Sequence, residues 1–280
     1  LVFLYCFSGF GLALVLGGQR WATAEVEVYT LVAHDLALGQ AGVLAVWLLL
    51  LNAGVALAYA WIERHLAVPA RSVPLPRLRV RNWPQRAAVL LALGVLLAVC
   101  AAPLLAIVAR AVPALVHAQG LAVLTEPDTL RALWNTLRFS AAALALAVLL
   151  GVTHALSARA LGALGLAWRA AAFLPFVVSP VTVAFGLLLL YPQWTASLGL
   201  LVAAYALLAY PFVAKSLTAA LDALPASYAQ AAATLGARPW RIFWRVTLPL
   251  VSTALRRGMA FAAATALGEF AVSLFLSRPE

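Results

Sequence analysis

Charge is the scarcest property of this sequence. Charged residues make up 10% of its 280 positions, against 65% hydrophobic. No soluble domain of this length needs so much apolar surface, which excludes a water-soluble fold and points to a chain that crosses a membrane several times. Cysteine occurs twice, at Cys6 and Cys100, both inside apolar runs. That excludes a disulfide framework and a thiolate metal centre, and reads as two inert buried thiols. The histidines, His34, His65, His117 and His154, are scattered without metal-ligand spacing. No phosphate-cradling glycine loop, dinucleotide turn or pair of catalytic carboxylates is present. No catalytic residue and no metal site are therefore expected. Lysine occurs once, at Lys215, against eighteen arginines, a bias of composition rather than of chemistry.

What is present is a net charge of +10. The arginines punctuate apolar spans instead of forming a patch, so they follow membrane topology and imply no nucleic acid. Apolar runs at 1–16, 41–62, 87–112, 136–156, 167–190, 196–221 and 251–276 read as membrane helices, with Pro103 tolerated as a kink. Between them lie a polar loop at 19–40 carrying Arg20, Glu25, Glu27 and Asp35, and a proline-rich basic linker at 63–86. A second loop at 113–135 contains Glu126-Pro127-Asp128 as a helix start, and a short turn at 157–166 and a tight connection at 191–195 follow. Tyr191, Trp168 and Trp194 suit interfacial belts, and Ser179-Pro180 and Tyr210-Pro211 are places where a span is expected to unwind. Fourteen of the nineteen basic residues fall on the side of the 63–86 linker and the polar stretch after 221, and five on the other. By the positive-inside rule the first side is cytoplasmic. The chain begins and ends in or just after apolar runs and reads as a fragment of a longer polypeptide.

An internal repeat runs at a constant offset of 260, laying Phe7 to Gly18 over Leu267 to Arg278, with Phe10 on Phe270, Leu14 on Leu274 and Leu16 on Leu276. It predicts two fused repeats: the end of the first at 1–62, a cytoplasmic linker at 63–86, and a second repeat at 87–280.

The longest polar interval of the second half is 225–249, PASYAQAAATLGARPWRIFWRVTLP. It reads as a helix over 226–235, a left-handed turn at Gly236, a second helix opened by Pro239, and a stop at Pro249. Gln230, Ala231, Ala232 and Ala233 leave a nearly bare surface; Arg238, Arg241 and Arg245 interleave with Trp240, Phe243 and Trp244. Composition alone fits an amphipathic loop lying on the bilayer surface. The spacing, however, resembles the cytoplasmic loop of ABC importer permeases, Glu-Ala-Ala, three residues, Gly, nine residues, Ile-x-Leu-Pro. Here Gln230-Ala231-Ala232, Gly236 and Val246-Thr247-Leu248-Pro249 stand in that register, with Gln230 for the glutamate and Val246 for the isoleucine.

The resemblance implies an all-α fold, a polytopic transmembrane helical bundle of the type I ABC importer permease kind, in a bacterial inner membrane. It implies that Gln230, Ala231, Ala232, Gly236, Val246, Leu248 and Pro249 belong to a coupling helix that docks in a groove of an ATPase subunit. The partners implied are an ATPase subunit dimer, a solute-binding protein outside the cell, and the bilayer; ATP is bound by the ATPase, and the permease itself has no cofactor and hydrolyses nothing. Glu269, the one acid well inside a span, lies in a Gly268-Glu269-Phe270 step similar to one found in many such permeases, which implies a gating or structural role. His154 reads as a histidine bonded across helices. Residues 6–29, the Asp35-Leu36 step and the 41–62 span together resemble thiamine transport permeases; ferric iron permeases have a comparable segment. Two other classes remain: a channel or scaffold without ATPase coupling, and a secondary transporter, which would carry more polar relay residues in its spans than Glu269 and His154.

Overall fold

Inside a bilayer each backbone N–H and C=O must be satisfied within its own segment, and a chain this apolar has helices as its solution. The structure, a computed structural model, describes residues 9–18, 20–66, 82–116, 122–123, 125–195 and 197–276, and its regular elements there are all helical. In chain order they are α1 Phe10–Leu12, running into a π-helical turn Ala13–Gly17, α2 Ala24–Ala33, α3 Leu38–Leu66, α4 Trp83–Val116 and α5 Pro127–Ala160. Then come α6 Gly165–Ala171, α7 Leu174–Val177, α8 Pro180–Leu190, α9 Leu198–Ala223, α10 Ala226–Thr234 and α11 Pro239–Ile242. A second π-helical turn, Phe243–Thr247, leads into α12 Leu248–Leu267, and α13 Ala271–Leu276 follows. Among the described residues, four helices are long and apolar enough to cross a membrane: α3 over Leu38–Ala58, α4 over Trp83–Pro113, α5 and α9.

Several spans differ from their sequence reading. The loop expected at 19–40 contains a ten-residue helix, α2, which buries Glu25, Val26, Val28 and Val32. The 167–190 run is not one helix. Pro180 removes an N–H and biases Ser179 to extended backbone, so the chain breaks there and Ser179 caps α8, accepting from the Thr182 N–H at 3.2 Å. Pro211 breaks nothing: α9 runs through it, and its ring is fully buried. The final run is interrupted at 268–270, between α12 and α13. Cys100 is exposed rather than buried. Cys6, most of the linker, and the repeat's outer ends at 7–8 and 277–278 lie outside the described residues.

The chain divides into two compact units, 67–135 on one hand and 1–66 with 136–280 on the other. In the first, α4 carries Pro103 and Pro113 within its 34 residues. The second holds the core. Phe10, α2, α3, α8, α9 and α13 enclose an apolar cluster that includes Val28, Val181, Phe185, Tyr205, Val272 and Phe275. Below it, small residues let α5, α9 and α12 approach closely: Ala147, Ala206, Ala209, Val213 and Ala262 form a second cluster, and Ala155, Leu217, Leu221 and Val251 a third. Val213 is gripped from both sides. A Cβ added at Gly151 of α5 would meet its Cβ at 2.6 Å, and one at Gly258 of α12 would meet its Cα at 3.0 Å.

Candidate functional site

The 225–249 interval is held clear of the core. Nothing in α10 or α11 is buried, and Leu235 between them is 89% exposed. Alanine-rich sequence makes α10, Gly236 at φ +79° ends it, and the Gly236 and Ala237 N–H groups return to the Ala233 and Ala232 carbonyls at 2.9 and 3.1 Å. Gln230 and Ala231 are exposed, and Ala232 is half-buried. Pro239 then opens α11, whose Trp240 packs on Phe243 and Trp244 with ring centroids 6.4 and 5.3 Å apart.

Pro249 does not stop the chain as the sequence suggested. The π-helical turn Phe243–Thr247 widens the ladder just before it, and Pro249 sits in the first turn of α12, where a missing N–H costs little. Val246 and Leu248 are therefore half-buried in a continuous helix that joins the loop to α12. At the other end, Arg169 of α6 makes a bidentate ion pair with Asp222, Nη2 to Oδ1 at 3.0 Å, three residues before Pro225. The candidate loop is thus a rigid two-helix projection fastened at both ends.

Gly268, Glu269 and Phe270 form the interruption between α12 and α13. The Glu269 carboxylate accepts the Val272 N–H at 3.3 Å and so caps α13, while the Glu269 carbonyl accepts the Tyr205 hydroxyl at 3.2 Å. Phe270 stacks on Phe10 at 6.2 Å and 24°, and Phe10 meets Tyr29 edge-on at 5.7 Å.

Sequence reasoning missed Glu25, which sits in this same neighbourhood. It is 2% exposed, neither carboxylate oxygen has a hydrogen-bond partner, and Ser179 and Glu269 are the polar groups that act on it. Its helix lies outside the four spans; burial, reinforced by the negative charge of Glu269 and opposed by Ser179, pushes its carboxyl up to about 7. The signal was a helical stripe: Glu25, Val28 and Val32 fall at i, i+3 and i+7 and share one buried face.

His154 is tied across helices, as expected of it, by a hydrogen bond to the Trp168 backbone, while its Nε2 has no partner. It also stacks on Trp168 at 5.0 Å, and the Trp168 indole N–H donates to the Ser157 hydroxyl at 2.8 Å. Among the described residues no group of three or more His, Cys, Asp or Glu is placed to hold a metal ion.

Long apolar helices, spans interrupted by short unwound stretches, and an exposed two-helix projection define a polytopic helical protein of the membrane-transport kind. Residues 93–279 match the model of the family described as binding-protein-dependent transport system inner membrane component, and the chain belongs to that family. It is 37% identical over 168 residues to the molybdenum transport system permease protein ModB of Mycobacterium tuberculosis, covering 55% of this chain and 64% of that protein. To the sulfate transport system permease protein CysW of Synechocystis it is 37% identical over 111 residues, 35% of this chain and 40% of that one. To the thiamine transport system permease protein ThiP of Escherichia coli K12 it is 28% identical over 290 residues, 97% of this chain and 52% of that protein. The chain thus spans about half to two thirds of the length of ThiP and ModB.

Proposed function

We propose that this chain is the translocating subunit of an ABC importer for thiamine or its phosphates. In this reading a solute-binding protein delivers the solute from outside, and ATPase subunits close on ATP in the cytoplasm. The projection at 225–249, through Gln230, Ala231, Ala232, Gly236, Val246, Leu248 and Pro249, carries that closure into α9 and α12. The permease itself hydrolyses nothing. The observation that carries the substrate reading is extent: the resemblance to ThiP runs over 97% of the chain, N-terminal stretch included, whereas those to ModB and CysW cover 55% and 35%. A second reading, an oxyanion importer, is favoured by the higher identity of 37% in those shorter matches. We read 1–62 as the end of one repeat, 63–86 as a cytoplasmic linker and 87–280 as most of a second; the stacking of Phe10 on Phe270, equivalent positions in the repeat, supports this.

The test uses the full-length chain reconstituted with its ATPase and cognate binding protein, with ATP hydrolysis measured against thiamine, ferric iron and molybdate. Stimulation by thiamine alone is the expected result. Stimulation by molybdate or iron alone keeps the importer and overturns the substrate. Failure of any ATPase subunit to co-purify would leave a channel or scaffold and remove the coupling assignment.

A further inference from the structure

We infer that Glu25 and Glu269, with the rings of Phe10, Phe270 and Tyr29 beside them, form a binding subsite for an organic cation where the two repeats meet; the inference rests on the importer reading above.

The location follows from symmetry. Residues related by a repeat axis can touch one another only on that axis, and Phe10 and Phe270, 260 positions apart, stack at 6.2 Å. Transporters built of repeats place their solute sites at the repeat interface. Glu269 adjoins one of these rings in sequence, and Tyr29 of α2 meets the other at 5.7 Å.

The ligand class follows from charge. Of the two carboxylates, Glu269 is half-buried and committed to the cap of α13. Glu25 is held more loosely: both its oxygens are shut from water without a well-formed hydrogen bond, and the Ser179 hydroxyl that acts on it is shared with Thr182 at 3.1 Å. A carboxylate is an acceptor only, so what completes this site is a donor, and the ionised form is best answered by one that carries a positive charge. Rings alongside suit a delocalised organic cation, whose charge favours an aromatic face. An oxyanion such as molybdate or sulfate would meet two like charges. A hard metal ion would want more oxygen donors than two acids supply. The other charged groups of α2 and its C-terminal turn, Glu27, His34 and Asp35, are exposed. Burial and the neighbouring Glu269 raise the Glu25 carboxyl to about 7, so loss of its proton near neutral pH leaves the charge that a cation would answer.

The experiment measures equilibrium binding of radiolabelled thiamine to the full-length permease with its ATPase in nanodiscs, without binding protein, for wild type, Glu25→Gln, Glu25→Asp and Glu27→Gln. Expected are at least tenfold weaker binding in Glu25→Gln, partial recovery in Glu25→Asp, no change in Glu27→Gln, and no competition by molybdate. A neutral deaza analogue of thiamine should bind wild type and Glu25→Gln alike. Retained assembly with the ATPase shows that the variants fold. Equal thiamine affinity in wild type and Glu25→Gln overturns the subsite, as does a variant whose only change is the pH profile of ATP hydrolysis, which would make Glu25 a proton holder. Wild-type uptake is scored separately. If thiamine is not transported but tetraethylammonium binds and depends on Glu25, the substrate reading falls and the cation site stands.

Discussion

Gly236 takes φ +79°, a conformation that costs an L-residue about 1–2 kcal/mol and a β-branched one more. No atom lies within 4 Å of a Cβ placed there, so the penalty is purely conformational. Gly236→Val should therefore leave the bundle intact and disorder the junction of α10 and α11: recovery of folded permease stays the same while co-purification of the ATPase drops severalfold. Normal co-purification and transport would remove the coupling role. Glu25 makes a prediction about pH. Its carboxyl is raised from 4.5 to about 7, so the folded protein holds the proton more tightly than the unfolded chain. The stability this contributes is complete below about 4.5 and is lost as pH rises through about 7. The thermal midpoint of wild type should fall across that window, and in Glu25→Gln the fall should be smaller; identical pH profiles would contradict the assignment. Gly236 was legible because turn glycines announce themselves. Glu25 was not, because a carboxylate among polar loop residues looks solvated until its helix turns it inward.

The helices carry their own predictions. The grip of Gly151 and Gly258 on Val213 allows α5, α9 and α12 no extra methyl. Gly258→Ala should lower stability by about 1–3 kcal/mol, read as a lower melting midpoint in detergent, because backbone rather than a flexible side chain is what the new Cβ meets. The π-helical turn Phe243–Thr247 amounts to one residue inserted into an otherwise α-helical run. Deleting Arg245 should restore the regular ladder and rotate α10 and α11 by roughly 100° about the axis of α12. The expected outcome is an assembled bundle whose ATPase activity no longer responds to solute; unchanged coupling would show that the loop's orientation is immaterial. The spans of α3, α4, α5 and α9 were legible because length and apolarity are enough to find them, whereas the runs at 167–190 and 251–276 are broken into shorter helices. The effects of the prolines were not legible alike. Pro180 breaks a span as expected, but Pro211 sits fully buried in unbroken α9 and Pro249 begins α12. A proline removes one hydrogen bond wherever it stands; whether the helix breaks depends on neighbours that sequence does not name.

For the whole molecule, the uneven arginine distribution predicts sidedness. Cysteines placed at Arg238 and at Thr195, in a background without Cys6 and Cys100, should react with a membrane-impermeant maleimide from opposite faces of the bilayer, Arg238→Cys from the ATPase face. Labelling of Arg238→Cys from the outer face would invert the topology and remove the coupling role, and labelling of both from one face would deny that α9 crosses the bilayer. The bidentate Arg169–Asp222 pair is 34% and 42% exposed and so adds little to stability, about 0–1 kcal/mol, but it fastens the root of the projection. The family was legible from the spacing of the loop; the substrate was not, because the residues that would discriminate it come together only through folding. On the two-repeat reading proposed above, the Phe10–Phe270 contact bears on descent. In an ancestor assembled from two identical subunits, any change at such a position would have been made twice, and an acid there would have faced its own copy. Once both halves share one gene, each position is free to diverge. On that reading, glycine at position 9 opposite glutamate at 269 is the mark of that freedom, an asymmetry that equivalent positions of a homodimer could not have had.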